Sequence, residues 1–466
     1  MMPRSFGGSR VASGALRSPR VSGRPTRNAS WPLLVFFFSF PLWWLLGLST
    51  FGFLAVGGLM AYYLLKLPSI KVPPGFIYWL LFLGVALIGV LTLWVPVPGL
   101  MSESGPSRIL SWAFRILWML AATAVMLFIG NSSRRLLPDR ALVLALGSLF
   151  MYTVMGGYAG IFLSELDFPS VLEILLPKSI SSVTFVQSQI HPGLAQVQDI
   201  LGYDSPRPMA PFDYANSWGA NFGILLPFYL LTFRYATKPV ARTLLWFGLL
   251  ASIPPAVLSL NRAMWLGLLA MGLFMLIRLA LAGRFMALAS SLFAALGGAL
   301  VMLYTPLWDI VETRLENPHS NSGRTNLAEY TLQIVLEHSP IIGFGSTRTR
   351  QGNFFSIAAG ATADCHQCNP PQLGTQGSLW FLIFCTGILG TILFFVFFTK
   401  HFGPVLRARH PIHRAMIYPA IFYLCVLPTY DIMTTSLFLL MIAVGISWRH
   451  AANPDNELTM KGLGNQ

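Results

Sequence analysis

Unbroken apolar runs of roughly 20 residues recur along this chain, and no other feature constrains its folding more. A run of that length crosses the hydrocarbon core of a bilayer as a helix, which satisfies every backbone N–H and C=O internally. Twelve can be placed, at about 31–47, 48–65, 75–95, 108–130, 141–163, 214–233, 243–258, 262–280, 284–304, 376–399, 414–430 and 432–448. The first two are joined almost without a loop and read as a tilted hairpin. A membrane barrel is excluded, because its strands alternate apolar and polar residues over segments of about ten. Composition agrees. Of the 466 residues, 55% are hydrophobic and 10% charged, against about 25% charged in a soluble domain. That is too little charge to coat a water-facing surface, so an ordinary cytosolic enzyme and a disordered chain are both excluded. The expectation is an all-α integral membrane protein with about 12 transmembrane helices.

Residues 1–30 are rich in Ser, Gly, Pro and Arg and read as a disordered basic tail. A basic flank before an apolar run raises the question of a signal peptide. The run from Trp31 continues to about Leu65 without a small-residue cleavage site, so a signal peptide is not expected. Lys and Arg gather on the cytoplasmic side of membrane proteins. With the N-terminus inside and twelve alternating crossings, 22 of the 31 basic residues but only 3 of the 17 acids fall inside. A missed crossing would mix the two sets. An even count is expected, with both tails, 1–30 and 449–466, cytoplasmic around a membrane domain of 31–448.

Two loops, 164–213 and 305–375, are long and then face outward, while the cytoplasmic connections are short. Chemistry is expected on the outer face. Nucleotide-dependent activity is not, because nucleotides are cytoplasmic and no Gly-x-x-x-x-Gly-Lys loop is present. The net charge of +14 does not point to nucleic acid, since no soluble face carries it.

Six segments hold candidate residues. Arg262, in Ser259-Leu-Asn-Arg-Ala-Met-Trp265, stands at the outer end of a span, either as a snorkelling anchor or as a guanidinium that grips phosphate bidentately. Arg324, in Asn321-Ser-Gly-Arg-Thr325, precedes a stretch, Asn326 to His338, that reads as a short amphipathic surface helix. It is either a solvated loop arginine or, at that helix's N-terminus, part of an anion site. Gly343 and Gly345 permit a tight turn ahead of Arg348 and Arg350, which are candidates to wrap a phosphate or acidic sugar. Asp364-Cys-His-Gln-Cys368 holds His366 between Cys365 and Cys368. A structural zinc would need a second pair of ligands, so a disulfide between the two cysteines is preferred outside the cytoplasm, with zinc and free thiols as alternatives. Gly374-Thr-Gln-Gly-Ser-Leu-Trp380 opens a span, with Thr375 and Gln376 facing the outer cavity and Gly387 and Gly390 allowing close helix approach. Asp213 and Asn216 open another span in the same layer, and Asp431 reads as a structural partner for an arginine. Cys385 and Cys425 lie in apolar runs as packing residues.

Taken together and in order, several blocks resemble the O-antigen ligase and polymerase family of bacterial membrane glycosyltransferases. They are Pro211-Phe-Asp-Tyr-Ala-Asn-Ser-Trp-Gly219 with Leu226-Pro-Phe228, Ser259-Leu-Asn-Arg-Ala263, Ser322-Gly-Arg324 with His338-Ser-Pro-Ile-Ile-Gly-Phe-Gly345, and Gln376 to Gly390. They cover about Pro211 to Gly390. The resemblance implies a GT-C-like architecture in the bacterial cytoplasmic membrane. It implies transfer of a glycan from a polyprenyl diphosphate carrier to a glycan, lipid or protein acceptor, without cofactor or metal. It makes Arg262 and Arg324 the diphosphate-binding arginines. Gln376 occupies the place where that family carries a His. Glutamine cannot take a proton, so Gln376 positions the acceptor or another residue is the base: His366, Asp364 or Asp213. A glycan polymerase, a shape, elongation and division-type peptidoglycan glycosyltransferase and a lipid-linked glycan transporter are the alternatives. The transporter is disfavoured because the acids cluster at span ends and in loops rather than mid-span.

Overall fold

A computed structural model describes residues 30–101, 105–199, 201–316, 319–350, 372–408 and 410–452. The fold is mostly helical, at 71%. Among the described residues, seven helices are long and apolar enough to cross a membrane: Arg108–Asn131, Asp139–Phe162, Pro239–Leu258, Arg262–Leu281, Phe285–Leu303, Ser378–Val405 and Thr435–Ala452, with shorter apolar helices at Ser49–Leu65 and Phe76–Thr92.

The chain opens with α1 (Trp31–Phe38), α2 (Phe40–Leu45) and α3 (Ser49–Leu65). The expected hairpin is present. Its first arm bends at Ser39, just before a helical turn that carries Pro41. Phe36, Phe37, Phe40 and Phe53 pack edge-to-face in its interior. Next come α4 (Phe76–Ile88), α5 (Gly105–Asn131) and α6 (Asp139–Phe162). Trp79 donates to the Thr123 hydroxyl at 2.8 Å, which satisfies the indole where α4 meets α5.

The connection after α6 is not a bare loop. It carries three short helices, α7 (Val171–Leu175), α8 (Lys178–Ser181) and α9 (Thr184–Ile190). An antiparallel ribbon follows, β1 (Ala195–Asp199) paired with β2 (Asp204–Pro208). A second two-stranded ribbon pairs β3 (Arg348–Thr349) with β4 (Gln372–Leu373); so little sheet leaves the fold consistent with the all-α expectation.

The second half contains α10 (Ala215–Thr232), α11 (Pro239–Ala251), α12 (Ile253–Leu258), α13 (Arg262–Leu281) and α14 (Phe285–Leu303). A single helix was expected over 243–258. It breaks at Ser252, because Pro254 and Pro255 donate no N–H to the preceding turn. Outside the core, α14 buries no residue at all. Then come α15 (Leu307–Glu316) and α16 (His319–His338), followed by α17 (Ser378–Val405), α18 (Pro411–Ala415), α19 (Ile417–Val426) and α20 (Thr435–Ala452). Helix α20 lies at the centre, and its residues from Thr435 to His450 are all buried.

Gly387 and Gly390 were expected to bring helices together. Gly387 instead breaks α17, with φ +65° and ψ −171°. The turn from Pro340 to Gly345 fills the break. Phe344 and Gly345 donate to the carbonyls of Phe384 and Cys385 at 2.8 and 3.0 Å, and Ile388 donates to Pro340 at 2.9 Å. The backbone groups freed by the kink are thereby paired inside the protein, as hydrocarbon requires. Only glycine fits here, since a Cβ at Gly387 would lie 2.2 Å from the Ile341 oxygen.

The end of the bundle remote from Arg262 is held by ion pairs. Asp139 binds Arg449 and, at 3.0 Å, His450 Nε2. Arg134 donates to His450 Nδ1 at 2.9 Å.

Candidate functional site

Four arginines from four elements converge near the N-terminal end of α13. Arg207 comes from β2, Arg262 opens α13, Arg314 ends α15 and Arg324 lies in α16. Each acts electrostatically on at least one of the others, and all four act on or feel Tyr430. Tyr430 is buried in the turn between α19 and α20.

Arg207 is the most deeply fixed. Its Nε donates to the Ser259 carbonyl at 3.0 Å and its Nη1 to Gln198 at 3.0 Å. Nη2 donates to Asn216 at 3.1 Å and also to Asn261. Asn261 in turn donates to the Ala215 carbonyl at 2.8 Å. That approach needs Gly219, where a Cβ would stand 2.5 Å from the Asn261 amide. Arg314 donates from Nε to the Leu260 carbonyl at 3.2 Å. Arg324 reaches the Thr429 carbonyl at 3.4 Å, one residue before Tyr430.

The electrostatics are those of crowded like charges. Burial, and then Arg324, push Arg207 down to about 10 from an ordinary 12.5, while Tyr430 opposes. Burial, then Arg262 and Arg207, push Arg314 down to about 10 as well. Each guanidinium is held against its neighbours, so an anion that met several of them would be bound strongly.

The entrance of α17 packs on the same turn. Ser378 donates its backbone N–H to the Tyr430 carbonyl at 2.8 Å, and its hydroxyl accepts from Ile432 N–H at 2.8 Å. Trp380 donates to Pro428 at 2.9 Å. Gln376, two residues before α17, is buried. It donates to the Thr331 hydroxyl at 2.9 Å, and Thr331 lies two helical turns beyond Arg324 on α16. Asp431 pairs with Arg115 at 3.1 Å, the structural role expected of it.

Asn216 joins the cluster through Arg207. Asp213, just ahead of α10, is half-buried. Burial pushes its carboxyl up to about 7, against the opposing hydrogen bond of Thr50. Arg348 and Arg350 belong to a different constellation. Arg348 is buried, donates to the Thr92 carbonyl at 2.7 Å and lies over Phe344. Arg108 donates to Leu93 and Met101 of the same segment, at 2.8 and 3.0 Å. The Arg350 guanidinium sits 4.2 Å from the Tyr330 ring centre. These arginines hold residues 92–101 against the rest of the chain.

One expectation changes. Helix α16 begins at His319, so Arg324 lies in its second turn and not at a helix N-terminus; its charge, rather than exposed N–H groups, is what it offers. Arg207 and Arg314 were not singled out from sequence. Their signal was available: they are two of only nine basic residues that the expected twelve-span topology does not place inside. Asp364, Cys365, His366 and Cys368 lie outside the described residues. Among the described residues no group of three His, Cys, Asp or Glu side chains is placed to hold a metal. No family model matches this chain, and no curated protein matches it.

Proposed function

We propose that the protein transfers a glycan from a polyprenyl diphosphate to an acceptor, in the manner of the O-antigen ligase and polymerase family. One observation carries the reading: four arginines crowd around Tyr430, and burial with mutual repulsion lowers two of them to about 10. A diphosphate supplies negative charge on two adjacent groups, which suits several guanidiniums better than one.

In this reading the acceptor hydroxyl attacks the anomeric carbon. The new C–O bond forms as the bond to the diphosphate oxygen breaks. Negative charge grows on the leaving diphosphate, and fixed guanidiniums stabilise it. The acceptor proton goes to a base of the outer layer, for which Asp213, Asp364 and His366 are the candidates. Gln376 accepts a hydrogen bond from the acceptor but takes no proton.

The chain then crosses the membrane twelve times, with the arginine cluster on the outer face of a bacterial cytoplasmic membrane and both termini inside. The alternation of the apolar segments supports this, as does the gathering of Arg134, Arg449, His410, His413 and His450 at the opposite end.

The test is direct. Membranes containing the protein are supplied with a polyprenyl-diphosphate-linked glycan and candidate acceptors. A covalent glycan–acceptor product with release of polyprenyl diphosphate is expected. Movement of the lipid-linked glycan across the membrane with no product would overturn the reading. Product chain length separates ligation from polymerisation.

A further inference from the structure

Leu260 is the only non-glycine residue with positive φ among those described, at +55°. L side chains rarely adopt that conformation, and a branched apolar one has no local hydrogen bond to offset it. The residue lies in the turn between α12 and α13, two positions before Arg262. Its surroundings over-determine it. Ser259, Leu260 and Asn261 are all buried. The Ser259 hydroxyl donates to the Ala256 carbonyl at 2.8 Å. Arg207 takes the Ser259 carbonyl and the Asn261 side chain, and Arg314 takes the Leu260 carbonyl. Two guanidiniums, from β2 and α15, thus clamp adjacent carbonyls of one strained turn. The strain persists because the surroundings hold it, a pattern that clusters at functional sites.

Arg207 makes four of its five possible N–H donations within the protein. It has little left to offer a ligand. Arg262 is half-buried at the start of α13, and its backbone direction is set by the turn that Arg207 and Arg314 hold. We infer that Arg207 is a positioning residue, assisted by Arg314, that acts on the phosphate-bearing ligand through Arg262 by fixing the Ser259–Asn261 turn. This rests on the diphosphate reading above.

The experiment uses the full-length purified protein with farnesyl diphosphate and farnesyl monophosphate as probes, measuring equilibrium affinity for the parent, Arg262→Ala, Arg207→Gln and the double variant. Each single change is expected to weaken diphosphate binding roughly tenfold to a hundredfold. The double variant is expected to match Arg262→Ala within about twofold, because residues acting through one another are not additive. A merely structural loss would not cancel in that way. Leu260→Asn supplies a rescue, since Asn tolerates positive φ. In that background Arg207→Gln should cost less than in the parent. A parent protein that binds neither probe overturns the diphosphate reading itself. A parent that binds, with Arg207→Gln unchanged, with additive losses or with no rescue by Leu260→Asn, overturns only the positioning role. If Arg207→Gln is not recovered folded, Arg314→Gln takes its place in the same cycle with the same outcomes.

Discussion

Gln376 donates its side-chain amide to the Thr331 hydroxyl at 2.9 Å, and its own carbonyl oxygen, though buried, meets no donor among the described residues. A buried acceptor left in that state costs about 1–3 kcal/mol, which an incoming hydroxyl would recover. Gln376→Ala is therefore expected to raise KM for the acceptor while lowering kcat only modestly. Initial rates at varied acceptor concentration check this, and a loss of kcat as deep as that of an arginine variant would count against it.

Arg262→Ala is expected to lower the transfer rate by about 10²–10³. Arg262→Lys should restore it only in part, because lysine keeps the charge and loses the fork that meets a phosphate at two points. Arg324→Ala should be similarly severe. Transfer at the parental rate by Arg262→Ala, at parental protein level, would show that the arginine has no part in the reaction.

Gly387→Ala and Gly343→Ala should both destabilise the fold, by roughly 2 kcal/mol or more. Both glycines have φ near +65°, and an added Cβ would meet backbone atoms at 2.2 and 2.4 Å respectively. Thermal unfolding of the detergent-solubilised variants reads the effect. Gly58→Ala, at a site with open space, is the control expected to melt with the parent.

Two groups make stability fall as pH rises, for different reasons. His191 bridges Glu173 at 2.8 Å and Asp167 at 2.6 Å. Burial pushes its pKa down, but the hydrogen bonds and charges of the two carboxylates outweigh this and leave it raised above the ordinary 6.5. A raised folded value means the latch is fully present below 6.5 and is lost as pH rises through that higher value. Hydrogen exchange in residues 167–191, corrected for intrinsic rate, should accelerate on alkalinisation, and less so in Asp167→Asn.

Asp213 has a folded value of about 7 against an ordinary 3.8, because burial disfavours its charged form. The folded state holds the proton longer, so stability falls as pH rises from about 3.8 to about 7. Asp213→Asn should remove that slope and melt above the parent at pH higher than about 7. A parallel pair of profiles would show that Asp213 titrates normally.

Topology is open to cysteine labelling. A cysteine at Glu337, exposed on α16, should react with an impermeant reagent applied from outside, and one at Ser133, exposed beyond α5, should not. Ser132 is a poor probe, being buried and bonded to the Phe128 carbonyl at 2.6 Å.

The apolar runs made the long helices legible, and α5, α6, α10, α13 and α14 begin and end within a few residues of their hydropathy limits. Hydropathy does not see a break whose cause lies elsewhere in the chain. The kink at Gly387 depends on the turn at 340–345, and Gly-x-Gly read alone gives no partner for that turn. The candidate cluster was legible at Arg262 and Arg324, which stand in compact motifs beside apolar runs. Arg207 and Arg314 sit in polar connections where an arginine is ordinary, and only the folded chain brings their side chains onto adjacent carbonyls. Arg348 and Arg350 have the opposite history: their spacing looked like a ligand cradle, yet Arg348 is spent on the Thr92 carbonyl and Phe344, and Arg350 stacks on Tyr330.

The repaired break in α17 bears on how the chain is made. Synthesis runs from the N-terminus, so the 340–345 turn leaves the ribosome about forty residues ahead of Gly387. Before that turn docks, α17 can be a straight helix in which the Ile388 and Leu389 N–H groups meet the Phe384 and Cys385 carbonyls. Docking exchanges those bonds for the ones to Pro340, Ile341, Phe344 and Gly345. The straight form is long and apolar enough to enter a bilayer alone. The kink is therefore a late event, imposed by docking and permitted by Gly387. Moving that turn to a later point in the chain, as a circular permutation would, should delay the kink without preventing insertion of the helix.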